Sequence, residues 1–331
     1  MADNGRRLAS AADTAPVCET HSWVETGGGR LRRCSACGLV STSQVPAFAY
    51  EDDYFTDAAS GGYDFAADFS IDFDTARFAG ELERLEQQGM GGTLLDVGCA
   101  TGTYMEAAQK RGWTVTGVET ADFARQHAAA RTASLVTASC DELPAGQRYD
   151  LVTLHHVLEH LHEPVAFLRD TLAPRVGGRL LIEVPNFDSL ASRVYGSRWR
   201  DLRLEQHVSH FTGPTLAGVL AAAGFRVRRV YTLWQPLWSL RANVELAQLA
   251  AGGLRGVDRR WESPPASGAQ NGENDARDDA RDDKGRYRRP SGIRRMAVRA
   301  TAVASRPLVS ALERRGRGDR LVVEAEPGDR R

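Results

Sequence analysis

The chain has 331 residues, enough for one large domain beside a small one, and 42% of them are hydrophobic, so it can bury a substantial core. With 42 basic and 43 acidic side chains its formal net charge is -1, which removes any bulk electrostatic argument for nucleic acid or an anionic membrane. The polar residues 1–16 lack the apolar core of an export signal, and residues 236–254, interrupted by Arg241 and Glu245, are too short and too charged for a bilayer span, so a cytoplasmic chain is expected.

Residues 1–15 read as a disordered N-terminus and residues 16–46 as a small module. The five cysteines, Cys18, Cys34, Cys37, Cys99 and Cys140, are not distributed like a disulfide scaffold. Instead, Cys18-x-x-His21 and Cys34-x-x-Cys37-Gly38 are two short pairs, each able to grip one metal from a tight turn. Thiolates and an imidazole suit tetrahedral zinc, and four protein ligands leave no open position for catalysis. A disulfide is the competing reading, disfavoured in a reducing cytosol. Gly27, Gly28 and Gly29 between the pairs predict a hairpin turn. A ribbon this small buries little core, so the metal would supply much of its folding energy. Residues 47–92 read as a linker and covering helices, with Phe73, Phe78, Leu82 and Leu85 at helical spacing.

The most informative stretch is Thr93-Leu94-Leu95-Asp96-Val97-Gly98-Cys99-Ala100-Thr101-Gly102. An apolar strand ends in an acid, a tight turn follows, and a helix starts near residue 103. A dinucleotide fingerprint needs Gly-x-Gly-x-x-Gly, but Ala100 stands where the second glycine belongs, which disfavours a nicotinamide or nucleotide-sugar enzyme. The pattern Asp-x-Gly-x-x-x-Gly resembles motif I of the class I S-adenosylmethionine (SAM) methyltransferases. That resemblance implies a SAM site in which Asp96, Gly98, Cys99, Ala100 and Gly102 hold the amino-acid end. Glu119 closes the next strand, where an acid can take both ribose hydroxyls. Ser139, Cys140 and Asp141 resemble the family's adenine-side loop, with Ser139 where an acid often stands; Asp141 or the Cys140 backbone N–H would then serve. The zinc ribbon points to a bacterial subgroup of the family. There, residues 50–55 resemble the joining segment, which implies a substrate-side lid with Tyr54 near the cofactor, against simple aromatic packing.

The alternation continues through strands 93–97, 113–118, 134–137, 149–154 and 178–184 and helices 103–111, 121–131 and 164–173, with Gly177 and Gly178 ending a helix. A helix over 215–223, a strand over 226–233, a helix over 293–314 and a last strand over 318–325 follow. This order predicts an α/β fold: a Rossmann-like, mostly parallel seven-stranded sheet with helices on both faces, plus the small zinc-ribbon-like module. Residues 93–260 form the SAM-binding core of this reading, 261–292 a polar disordered insertion, and 293–331 the C-terminal helix and last strand.

The fourth strand ends at His155-His156-Val157-Leu158-Glu159-His160, where cofactor and acceptor meet in the resembled family; His155 is counted with the cofactor residues. Two roles compete for the rest. His160 or His210 can act as a general base on an acceptor hydroxyl. Alternatively His156, Glu159 and His160, read on one helical face, bind a divalent metal with His207 or His210. Purely structural hydrogen bonding is the third account. The reaction implied is methyl transfer from SAM to a small-molecule acceptor, with O-methylation of a hydroxylated metabolite, glycolipid, sugar or quinone preferred. A non-catalytic binding module and a sugar C-methyltransferase are the alternatives. Sugar enzymes of this kind usually carry a further C-terminal domain, which disfavours the latter.

Overall fold

A regular alternation of strands and helices fills the computed structural model, which describes residues 17–45, 70–234 and 307–328 apart from 19 and 308. The expectations for residues 1–16, 50–55, 236–254, 262–292 and 293–306 lie outside the described residues.

In chain order, the N-terminal module supplies β1 (Trp23–Thr26), β2 (Leu31–Cys34) and β3 (Val40–Thr42). Next come α1 (Ser70–Glu86), β4 (Thr93–Val97), α2 (Thr103–Gln109), β5 (Thr114–Val118), α3 (Asp122–Thr132), β6 (Val136–Thr137) and β7 (Tyr149–His155). The short α4 (Pro164–Ala166) widens into a π-helical stretch, Phe167–Leu172, before β8 (Val176–Pro185). The chain continues through α5 (Leu190–Tyr195), β9 (Ser209–His210), α6 (Gly213–Ala222), β10 (Phe225–Leu233) and β11 (Arg320–Pro327).

The large sheet has the order β10-β11-β8-β7-β4-β5-β6. Strands β4 to β8 are parallel, while β11 runs antiparallel to both β8 and β10. Strand alternation assigns each side chain to a face. Leu94, Leu151, Leu181 and Val322 point to one side, where they pack on Leu82 and Leu85 of α1, Met105 of α2 and Ala128 of α3. Their neighbours Leu95, Val152, Ile182 and Val323 point to the other, against Leu168, Leu172 and, from α6, Leu216, Val219 and Leu220. Two apolar faces of one sheet therefore demand helices on both sides, as the continuous apolar runs predict. Among the described residues, no helix is long and apolar enough to cross a membrane.

Three details differ from the sequence expectation. Gly177 and Gly178 lie inside β8 and end no helix, because the backbones of β7 and β8 approach closely there: a Cβ on Gly178 would sit 2.4 Å from the Asp150 carbonyl oxygen. The helix expected over 164–173 is only partly α-helical; Ala173 N–H reaches back to Leu168 O, a wider turn than the α-helix makes. The ribbon does not stand alone either. Its hairpin is extended by β3 and then by β9, giving a second sheet of order β1-β2-β3-β9. Val17 and Leu39 also join the core cluster that holds α6.

Candidate active site

Strand addition reverses at β4: β5 and β6 lie on one side, β7 and β8 on the other. The crevice outside the carboxyl ends of β4 and β7 is the switch point where open α/β sheets bind ligands. Asp96 and Thr153 are paired there across the two strands, and the Thr153 hydroxyl donates to Asp96 Oδ1 at 2.8 Å.

The loop after β4 is shaped by three left-handed residues, Gly98 (φ 71°), Ala100 (φ 47°) and Gly102 (φ 80°). A Cβ on Gly98 would sit 2.4 Å from Val157 Cγ2, and one on Gly102 only 2.9 Å from the Ala128 Cα. Both positions thus exclude a side chain for reasons of conformation and space. Ala100 lacks glycine's freedom, and the left-handed region costs it roughly 1–2 kcal/mol. Its N–H donates to Glu119 Oε2 at 2.9 Å, while Ala121 N–H donates to Oε1 at 3.0 Å. Burial raises the pKa of Glu119 despite these bonds. A carboxylate offers about four acceptor positions, so Glu119 buttresses the loop and keeps capacity for hydroxyl groups. Cys99 is buried behind the loop, and its thiol is pushed far up by burial and by the charges of Asp96 and Glu119.

His155 lies between acids. Its Nε2 is 3.3 Å from Glu81 Oε1 and its Nδ1 is 3.8 Å from Asp96 Oδ1. Phe78 and Tyr104 pack against the ring, with centroids at 5.3 and 4.5 Å. Burial pulls its pKa down, but Asp96, Glu81 and Glu183 outweigh this and raise it to about 9. The acids on either side thus favour the imidazolium form of the ring. Sequence reasoning missed Glu81, Thr153 and Glu183; an ionisable Glu183 inside the apolar run of β8 was the available signal.

Beyond β6, the Ser139 hydroxyl accepts from Asp141 N–H at 2.9 Å and caps a short turn, Cys140–Glu142. Arg175 donates to the Cys140 carbonyl at 2.8 Å, and burial raises the Cys140 thiol to about 11. These three residues follow a parallel strand of the same sheet, and Cys140 packs into the core beside it.

The histidine edge is arranged differently from the expected helix face. His156 adopts φ 57°, and only Leu158–His160 makes a single tight turn. His156 Nδ1 is 3.0 Å from Glu159 Oε1, while its Nε2 meets Arg320 and lies 3.3 Å from Glu183. His156 thus links Glu159 to a buried charge network with Arg77, Glu183 and Arg320, and lies outside the set of ligand-type atoms that Glu159 forms with His160 and His207. In that cluster, Glu159, His160 and His207 each bring a ligand-type atom within 4.8 Å of the others. His160 Nδ1–H donates to Gln206 O at 3.2 Å and His207 Nδ1–H to Asp201 O at 2.9 Å. Both imidazole lone pairs then lie on Nε2, the tautomer that main-chain carbonyls impose on metal-bound histidines. Glu159 Oε2 is buried with no hydrogen-bond partner among the described residues. Burial opposes its charge, yet the hydrogen bond and charge of His156 outweigh it and lower the carboxyl to about 2.

His210 drops out as a general base. It is 4% exposed, its Nε2 sits 2.9 Å from the Thr42 hydroxyl, and burial lowers its pKa to about 3. Such a ring is too weak a base and too enclosed to receive an acceptor proton.

In the ribbon, Cys18 Sγ is 3.9 Å from Cys34 Sγ, and Cys37 Sγ is 3.5 Å from His21 Nδ1. Tetrahedral zinc with standard bond lengths needs edges of about 3.8 Å between sulfurs and about 3.6 Å between sulfur and nitrogen. The four donors fit that ion.

Residues 72–230 match a family profile described as a methyltransferase domain. The chain is 32% identical over 146 residues to a ubiquinone biosynthesis O-methyltransferase of Cereibacter sphaeroides, covering 39% of this chain and 58% of that enzyme. It is 36% identical over 106 residues to the enzyme of the same name from Aeromonas salmonicida, covering 29% of this chain and 44% of the other. The chain therefore spans little more than half the length of these relatives at most. Among solved structures, a SAM-dependent methyltransferase of Archaeoglobus fulgidus is similar at 16% identity and a TM-score of 0.43, covering 78% of this chain and 99% of that one. Magnesium protoporphyrin IX methyltransferase of Synechocystis, solved with S-adenosylhomocysteine, aligns at 19% identity and a TM-score of 0.40 over 47% of this chain and 75% of that one.

Proposed function

Through residues 72–230 the chain belongs to the class I SAM-dependent methyltransferases, and from that membership we propose that it methylates a hydroxyl group of a small molecule. A hydroxylated quinol ring is the first acceptor to test, because the curated relatives are named for ubiquinone biosynthesis. The observation that carries O-methylation is the convergence of Glu159, His160 and His207 next to the cofactor crevice. Val157, two residues before Glu159, packs on Gly98 of the loop after β4 and ties the two regions together.

SAM would supply the methyl group, which the acceptor oxygen takes as the carbon–sulfur bond breaks in line and S-adenosylhomocysteine leaves. The chain's share is to hold both reactants in line. Asp96 takes the amino group beside the Gly98–Gly102 loop, and Glu119 takes the ribose hydroxyls with its remaining lone pairs. The turn at Ser139, Cys140 and Asp141 borders the adenine side. At the acceptor edge, Glu159 Oε2 and the Nε2 atoms of His160 and His207 form a donor set of one carboxylate and two imidazoles. These three residues would hold a divalent cation, which would supply the Lewis acidity that lowers the pKa of an acceptor hydroxyl, its proton passing to solvent. Cys18, His21, Cys34 and Cys37 hold a separate structural zinc.

The test is transfer of labelled methyl from SAM to a panel of hydroxylated quinols and phenols, before and after extraction of weakly bound metal. Product formation that stops on extraction, returns with Mg2+ or Mn2+, and is lost in Glu159→Gln supports the reading. Activity indifferent to both perturbations refutes the metal-assisted edge.

A further inference from the structure

Thr42 hydrogen-bonds the ribbon to the acceptor edge. Thr42 is the last residue of β3 and is 4% exposed. Its hydroxyl donates to the His207 carbonyl at 2.7 Å, so the contact with His210 Nε2 at 2.9 Å must be an N–H donated by the imidazole. Thr42 N–H also donates to Val208 O at 3.0 Å, and Val208 N–H donates to Glu159 O at 2.8 Å. One residue therefore engages both ends of the segment 207–210, and that segment is bonded to Glu159.

The other end of β3 is tied to the cysteine knuckle. Cys34 N–H donates to Leu39 O and Gly38 N–H donates to Cys34 O, both at 2.9 Å. The strand pairs with β9 through Val40 opposite His210 and Ser41 opposite Ser209. Rigid hydrogen-bonded backbone thus runs from the zinc ligands to the acceptor edge, while none of these hydrogen bonds reaches the loop of Gly98 and Gly102, which meets that edge at the side chain of Val157.

We propose that Thr42 is a positioning residue: it transmits the order of the zinc knuckle to His207 and Glu159, so that loading of the ribbon with zinc sets the geometry of the acceptor edge and leaves the cofactor loop alone. This rests on the reading of Glu159, His160 and His207 as the acceptor edge. The hydroxyl is essential to the role because it donates to a buried carbonyl and accepts from a buried imidazole at once, which an isosteric valine cannot do.

The experiment uses the full zinc-loaded chain. Amide hydrogen exchange is followed by mass spectrometry over residues 156–162, 205–212 and 93–119, with S-adenosylhomocysteine affinity by calorimetry and zinc content by elemental analysis. Thr42→Val is expected to retain zinc and speed exchange at 205–212 and 156–162 by about tenfold or more, the result of losing one net hydrogen bond or more. Exchange at 93–119 and the affinity stay within about threefold, since the loop shares none of these bonds. Thr42→Ser restores the wild-type pattern, and zinc extraction reproduces that of Thr42→Val. Unchanged exchange in Thr42→Val, no rescue by serine, zinc extraction that spares 205–212, or parallel collapse of 93–119 would each overturn the proposal. Mn2+ binding, read by electron paramagnetic resonance in wild type and Glu159→Gln, tests the acceptor-edge reading separately. If it fails there, the exchange contrast still decides the coupling.

Discussion

Removing the charge of His155 is expected to loosen the cofactor crevice from within. The imidazolium sits 3.3 Å from Glu81 and 3.8 Å from Asp96. At an effective dielectric near 20, each carboxylate attracts it by about 4–5 kcal/mol, and burial of the ring takes much of this back. The net result is a pKa raised from 6.5 to about 9. By linkage this corresponds to about 3 kcal/mol of folding stability. The sign follows from the direction. A folded-state pKa above the unfolded one means the native state binds the proton more tightly. The contribution is complete below pH 6.5 and is lost as pH rises through about 9. Chemical denaturation of wild type and His155→Gln across pH 6 to 10 isolates this effect from other titrating groups. Wild type should lose about 3 kcal/mol more than the variant over that range. Parallel stability curves for the two proteins would show that the ring is neutral and the ion-pair argument mistaken.

Other outcomes follow from single contacts. Glu119→Gln turns an amide NH2 toward one of two loop N–H groups and removes charge-assisted bonds worth about 1.5–3 kcal/mol each, so S-adenosylhomocysteine should bind about 10- to 100-fold more weakly by calorimetry. Wild-type affinity in that variant would remove Glu119 from the site. Gly102→Ala forces a Cβ to 2.9 Å from the α3 backbone in a left-handed conformation, and should cost roughly 2–4 kcal/mol in thermal denaturation. Gly98→Ala meets only a side-chain methyl of Val157, so adding Val157→Ala should recover part of its loss, whereas simple additivity would contradict the steric account. Elemental analysis should find zinc in the purified chain, lost in Cys34→Ser; equal zinc in both would exclude the ribbon ligands.

The strand, turn and helix around Asp96 were legible because local sequence dictates all three: an apolar run, left-handed glycines and a helical period. The cysteine pairs were legible for the same reason, since each knuckle is a local turn. The second role of Glu119 was not, because its bonds to Ala100 and Ala121 exist only after β4 and β5 pair. The helix imagined for His156, Glu159 and His160 failed where the backbone enters the left-handed region at His156 and leaves a single turn. What brings His207 to Glu159 is the Val208 N–H bond to the Glu159 carbonyl, beside the two-residue strand β9, and so short a pairing leaves no periodic trace. Thr42, 165 residues from its partner His207, gave no signal at all.

The shared sheet β1-β2-β3-β9 has a practical corollary for anyone trimming this chain. A cut after residue 45, placed where composition suggests a clean domain border, would strip β9 of its neighbour and bare the apolar surface that Val17 and Leu39 cover beside α6. The shortened protein would then carry a sticky flank and an unmatched strand, the two ingredients of self-association. Cofactor capture by such a fragment would say little about turnover, because the segment 207–210 beside Glu159 would have lost its scaffold.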